Sequence, residues 1–311
     1  VIEAVDEALG LGERAGVPVH VSHHKAKGSG NHGKVAVTLG RIDAARARGL
    51  DVTLDVYPYT ATSTVLRALL PGWAHEGGAE ATRARLRDRE ARARLVAALT
   101  SGRVHGVSQP DGPETWDRIV ISTCRGERAF EGRSVWAIAE AAGRPAAETV
   151  LDILLNGGLD TGMVVFCMSD DDVDRVLRHP VAMVASDGEA LPVDDPDALG
   201  KPHPRAFGTF PRVLGRYVRD RQVLTLEDAV RKMTSQPAER LGLGDRGVVA
   251  EGAWADLVVF DPARVADAAT YDEPCRPPVG IVHVVVNGTP VVADGRLLGA
   301  RPGRVLRRGR A

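Results

Sequence analysis

The sequence predicts an α/β protein: a parallel sheet flanked by helices, with a smaller β unit appended at the C-terminal end. Three observations predict it. Residues 17–57 run strand, helix, strand with a short loop at each end, and residues 164–186 repeat that order, the pattern of parallel α/β units. After Gly244 the texture changes to short apolar runs broken by Asn287-Gly288 and Asp294-Gly295, dipeptides that favour hairpin turns.

Taken in order, residues 1–15 form an amphipathic helix that ends at Gly16-Val17-Pro18. Val1, Ile2, Val5 and Leu9 already follow helical spacing with no capping side chain before them, so the chain is expected to begin inside a helix. Val17 to Ser22 is an apolar strand, Gly28 to Gly33 a glycine-rich loop and Val35 to Arg48 a helix. Gly49 turns the chain into the strand Asp51 to Tyr57. Residues 67–160 are expected to be an excursion from this body. Within it Arg83 to Leu95 is a helix with a solvated basic face, Gly106 to Pro113 a break, Trp116 to Ser122 a strand, and Val135 to Gly157 two helices. Val164 to Met168 is a strand, Asp170 to Leu177 a helix, and Val181 to Ser186 a strand. Leu226 to Leu241 is a helix, and Val248-Val249, Ala255 to Phe260, Ile281 to Val286 and Pro290 to Val292 are the strands of the tail.

With 311 residues, 44% hydrophobic and 26% charged, the chain has ordinary globular composition. A net charge of −1 gives no global field toward nucleic acid or an anionic membrane. The basic helix has no interleaved aromatics on which bases could stack, and no apolar run reaches the ~18 residues of a membrane span. Three widely spaced cysteines with no CxxC fit a reducing cytoplasm rather than a disulfide framework. Gly28-Ser-Gly30 lacks the third glycine of a dinucleotide fingerprint.

The chemistry collects where strands end, as in parallel α/β folds generally. His23, His24 and Lys25 follow the first strand, Tyr57 ends the second, and Asp187 follows a later one. Imidazole and carboxylate are the donors that hold zinc with a water, whose pKa the metal lowers to about 7. A carboxylate beside that water can carry a proton to a leaving amine. The loop from Pro202 to Phe210 adds Arg205, a guanidinium suited to a substrate anion. Only five of the 40 basic residues are lysines, which makes Lys25 stand out. Each motif alone is weak, since a single strand-end histidine or a Ser-Asp-Gly turn is ordinarily structural.

The collinear series is specific. Ser22-His-His-Lys25, Asp55-Val-Tyr57-Pro-Tyr59, Ser186-Asp-Gly188, His203-Pro-Arg205 through Pro211-Arg-Val-Leu-Gly215, Arg231-Lys-Met-Thr-Ser235, Ala255 to Pro262 and Val286-Asn-Gly288 together resemble the C-terminal portion of the N-acyl-D-amino-acid deacylases (D-aminoacylases) of the amidohydrolase superfamily. The resemblance implies an α/β fold with a partial TIM-like barrel over residues 1–243 and a small C-terminal β-sandwich over 244–311. It implies a zinc cofactor, one ion or two. His23 matches a metal ligand, and Asp187 matches the catalytic carboxylate that can also ligate metal. Lys25, Tyr57 and Arg205 match groups that bind the substrate α-carboxylate, and Ser63 matches a serine of the same pocket. The implied reaction is hydrolysis of an N-acyl-D-amino acid to a carboxylate and a D-amino acid.

One departure is large. The superfamily's opening His-x-His, its bridging ligand and its strand 5 histidine have no match. A complete barrel needs ~250 residues, and few candidate strands precede residue 190. The chain is therefore expected to be N-terminally truncated and inactive alone. A cyclic-amide hydrolase of the same superfamily and a non-catalytic scaffold that lost its metal site are the competing readings.

Overall fold

The computed structural model describes residues 1–101, 113–192 and 199–307. Most of the break expected at Gly106 to Pro113 lies outside the described residues.

The body is a three-stranded parallel sheet in the order β1-β2-β6. β1 is Val19–Val21, β2 is Val52–Val56 and β6 is Ala182–Val184. His20 lies beside Thr53, and Leu54 beside Ala182. Helices α1 (Ile2–Ala15), α2 (Lys34–Ala47), α8 (Asp170–Arg178) and α10 (Leu226–Met233) cover one face. The alternation of β2 explains the layering. Val52, Leu54 and Val56 are buried against the helices with Val5, Ile42, Leu177 and Ala229. Thr53 and Asp55 alternate onto the other face with partial exposure.

A second core grows between β2 and β6. Strands β3 (Ala61–Val65), β5 (Gly162–Phe166) and β4 (Ile119–Thr123) form an antiparallel sheet in the order β3-β5-β4. It packs with α3 (Gly78–Arg87), α4 (Arg89–Thr100), α5 (Pro113–Asp117), α6 (Val135–Ala142) and α7 (Ala146–Asp152) around Leu66, Leu86, Leu95, Ile121 and Leu151. The basic helix expected at 83–95 is two helices. Asp88 breaks it and caps the second, its Oδ1 accepting from the Ala91 N–H at 2.8 Å. That pair is not merely a solvated face, because Leu86, Leu95 and Leu99 are buried. Trp116 belongs to α5, so the strand expected from it begins at Ile119.

The long helix expected at 226–241 is also split, into α10 and α11 (Ser235–Leu241), with Thr234 at φ −130° between them. Pro237 gives the reason. Its ring clashes with the carbonyl four residues back and it offers no N–H, so the chain restarts. Helix α9 (Arg205–Arg212) continues as a π-helix through Asp220 and occupies what the sequence presented as a loop.

The tail is one antiparallel sheet, β10-β9-β8-β7, made of β7 (Leu257–Phe260), β8 (Ile281–Val286), β9 (Thr289–Ala293) and β10 (Arg296–Leu297). Among the described residues no second sheet packs on it as in a sandwich. Val258 and Val259 are about half exposed. Val248-Val249 is not a strand, and Val249 is 90% exposed. Asn287 and Asp294 take the left-handed backbone expected of hairpin turns.

Candidate functional site

The C-terminal rim of the parallel sheet faces the antiparallel sheet across a cavity of about 260 Å³. His23, Lys25, Tyr57, Ser63, Asp187 and Arg205 all line it. The structure thus gathers every site residue expected from the sequence, across 182 positions of chain. β1 delivers His23 and Lys25, β2 delivers Tyr57, β3 carries Ser63, and the turn after β6 delivers Asp187. Arg205 opens α9. Gly188 allows that helix to come so near: a Cβ there would stand 2.8 Å from the Ala206 Cα.

Tyr57 is the centre of the cationic half. It is 2% exposed, and the Lys25 Nζ and the Arg205 Cζ each lie 5.0 Å from its ring centroid, within cation–π range. Its hydroxyl is buried and has no hydrogen-bond partner among the described residues. Burial pushes its pKa well above the ordinary phenol range, so the hydroxyl keeps its proton and can donate one bond. A buried hydroxyl left unpaired costs roughly 1–3 kcal/mol, which an anionic ligand would recover.

Lys25 donates from Nζ to the His23 carbonyl at 2.8 Å. Burial, then the neighbouring Lys27, pull its pKa down to about 8. At neutral pH it is still mostly charged. Arg205 Nη1 pairs with Asp187 Oδ2 at 2.8 Å. His203 sets up that arginine's backbone: its Nδ1 accepts from the Arg205 N–H at 3.0 Å while Nε2 donates to the Ala61 carbonyl at 3.1 Å. Burial lowers the His203 pKa to about 3, which keeps this one-donor, one-acceptor form.

His23 and Asp187 share an unusual backbone. Their φ values are 41° and 48°, in the left-handed region that residues with a Cβ avoid. Asp55 Oδ1 accepts from the His23 N–H at 2.6 Å, and Asp55 Oδ2 accepts from His20 Nε2 at 2.7 Å and from Ser22 Oγ at 3.3 Å. Burial opposes charge on Asp55, but these bonds outweigh it and hold its carboxyl below the usual range.

As a metal site the described residues are incomplete. Among them no three His, Cys, Asp or Glu side chains form a metal-holding group, whereas zinc takes about four ligands. His23 and Asp187 could supply two donors. No step through a metal follows from this chain's residues alone.

Several residues at the site carried no role in the sequence reading. Lys27, Thr62 and Cys167 line the cavity. Lys27 was legible as another of the rare lysines. Thr62 was hidden because β3 was not expected. Asp55 and His203 stood inside the motifs, and for Asp55 the alternation with Thr53 among apolar neighbours was the visible signal.

Comparison with known proteins places the chain in a family. Residues 2–292 match the model of the amidohydrolase family. An N-acyl-D-glutamate deacylase of Alcaligenes xylosoxydans xylosoxydans is 39% identical over 305 residues, covering 98% of this chain and 51% of the relative. A D-aminoacylase of the same organism is 37% identical over 308 residues, covering 99% and 52%. The chain spans about half the length of the curated relatives it matches. Among solved structures, a D-aminoacylase described as having a binuclear metal centre superposes with a TM-score of 0.75 at 36% identity, covering 99% of this chain and 53% of that one. The N-acyl-D-glutamate deacylase of Bordetella bronchiseptica, complexed with zinc and a phosphonate inhibitor, superposes with a TM-score of 0.72 at 36% identity, covering 96% and 52%. This chain belongs to the amidohydrolase family.

Proposed function

We propose that the protein serves zinc-dependent hydrolysis of the amide bond of N-acyl-D-amino acids, giving a carboxylate and a D-amino acid. In this reading Arg205, Lys25 and Tyr57 grip the substrate α-carboxylate, with Ser63 beside them. His23 and Asp187 are metal ligands, and Asp187 also moves the proton to the leaving nitrogen. The relatives, which are deacylases of this class, support the reaction. The observation that carries the carboxylate grip is the unpartnered, buried Tyr57 hydroxyl between two cations on one cavity wall. Two donors do not complete a zinc shell, so the 311-residue chain alone is expected to hold zinc weakly and to turn over no substrate. Stoichiometric zinc with turnover of N-acetyl-D-methionine would contradict that expectation. The three free cysteines are in keeping with a reducing, cytoplasmic setting. Among the described residues no helix is long and apolar enough to cross a membrane.

Binding tests the grip without turnover. N-acetyl-D-methionine and its neutral carboxamide are titrated by calorimetry onto wild type and Arg205→Ala. A charge-assisted hydrogen bond contributes roughly 1.5–3 kcal/mol, so Arg205→Ala is expected to weaken the acid about 10- to 150-fold and the amide hardly at all. An equal loss on both ligands would make Arg205 structural and remove the assignment.

A further inference from the structure

We propose that Asp55 is a positioning residue for His23, acting through the His23 backbone N–H; the functional part of this proposal rests on the reading of His23 as a metal ligand. Asp55 is not a lining residue of the cavity, yet it grips the turn that delivers His23 at several points. Its Oδ1 takes the His23 N–H at 2.6 Å, and its backbone carbonyl takes the His24 N–H at 2.8 Å. Its Oδ2 takes His20 Nε2 at 2.7 Å and Ser22 Oγ at 3.3 Å.

The network also fixes the carboxylate. An ionised carboxylate only accepts, so His20 Nε2 carries the proton. His20 Nδ1 is then the acceptor for the Thr53 hydroxyl, 2.7 Å away. The parallel register sets His20 directly beside Thr53. Asp55 follows two residues later on the same face of β2. Thr53, His20, Asp55 and the His23 amide thus form one chain of hydrogen bonds across two strands.

The physical need lies in the backbone of His23. At φ 41° a residue with a Cβ leaves the left-handed region readily unless something holds it. A fixed carboxylate on the main-chain N–H does so and leaves the imidazole free to face the cavity. Asp55 itself has both oxygens committed, which argues against its acting as an acid or base.

The experiment is nuclear magnetic resonance on the full 311-residue chain as wild type, Asp55→Asn and Asp55→Ala. It follows hydrogen exchange of the His23 amide and the position of the His23 ring resonance. Asn keeps an oxygen acceptor for the amide and Ala does not. Ala is expected to speed His23 exchange about 10- to 150-fold, the loss of one charge-assisted bond, and to move the ring resonance. Asn is expected to stay within about tenfold of wild type with the ring resonance in place. Should Asp55→Ala fail to fold, His20→Ala frees the same carboxylate and is expected to speed exchange to an intermediate degree. An unchanged His23 amide in Asp55→Ala, or in His20→Ala where that replaces it, overturns the proposal. So does Asn disturbing the turn as much as Ala. Titration with zinc chloride at the same ring resonance tests the metal reading by itself. A ring that ignores zinc removes His23 as a ligand and the functional part of the proposal, while the exchange data still judge the clamp.

Discussion

The two strand ends that carry the candidate chemistry are built alike and held differently. After β1 and after β6 the chain turns through a left-handed residue, His23 at φ 41° and Asp187 at φ 48°. His23 is held through its main chain by Asp55, a residue whose two carboxylate oxygens are both bonded. Asp187 is held through its side chain by Arg205, the group proposed to take the substrate carboxylate. The first contact is to the main chain, and the second is a side-chain ion pair whose carboxylate is 39% exposed. In the proposed function an arriving carboxylate would compete with Asp187 for Arg205 and free it for proton transfer. The roots of the two strands differ as well. Lys232, fully buried, donates from Nζ to the carbonyls of His179 at 2.6 Å and Ala182 at 3.1 Å at the base of β6. Arg240, with a side chain 18% exposed, holds the Val19 carbonyl at 2.9 Å and Asp51 at 2.7 Å at the base of β1.

The largest effect is expected at those roots. Lys232→Ala takes the side-chain donor from the buried Ala182 carbonyl, leaves the His179 carbonyl with the Ala182 N–H, and opens a void, and should cost about 3–5 kcal/mol. Arg240→Ala should cost about 1 kcal/mol, because water can replace it. Urea denaturation of the two variants checks this, and equal losses would erase the contrast.

The same lysine gives the comparison a pH signature. Burial lowers the Lys232 pKa to about 8, against 10.5 for the free side chain. Below pH 8 both states are protonated, and the folded state bears the whole cost of burying the charge. Between about 8 and 10.5 the unfolded chain binds more protons, so Lys232 makes stability rise with pH across that window. Replacing it with Met should reduce that rise in the melting temperature and leave the part due to Lys25, whose pKa burial also lowers to about 8. An identical pH profile in Lys232→Met would show that Lys232 is not its source.

At the rims the clamp should outweigh the ion pair. Asp55→Ala should destabilise by about 1–3 kcal/mol. Asp187→Ala should cost under about 1 kcal/mol, since the Asp187 side chain is 39% exposed and solvent screens the pair. A reversed order would mean that the side-chain ion pair is the structural contact.

The smallest effect concerns backbone strain. Glycine tolerates positive φ, so His23→Gly should gain up to about 1 kcal/mol. Asp187→Gly should gain less, because the Arg205 pair goes with the side chain. Thermal melts of both compare them directly, and a loss at His23→Gly would show that its ring packing outweighs the strain.

Much of this was legible because the chemistry sits at strand ends. Alternation in Val52 to Val56 announced both β2 and the face that carries Asp55, and the breaks after the strands marked where His23 and Asp187 emerge. The less visible features depend on distant partners. β3, Ala61 to Val65, is a short run with three hydroxyl side chains at its centre, and its strand partner is the distant Gly162–Phe166. α9 carries Pro211 inside a helix and reads as a loop until packing holds it there. The clamp on His23 needs the register of two strands, which no local pattern specifies. The split at Thr234 was legible in Pro237, a residue whose local rule suffices.

The most direct test of the account is a crystal structure of this chain with N-acetyl-D-methionine. The ligand carboxylate should lie within hydrogen-bonding distance of Arg205 and the Tyr57 hydroxyl, near Lys25, with Asp187 released from Arg205 and the His23 turn unmoved. A ligand bound with its carboxylate elsewhere, and the Asp187–Arg205 pair intact, would contradict it.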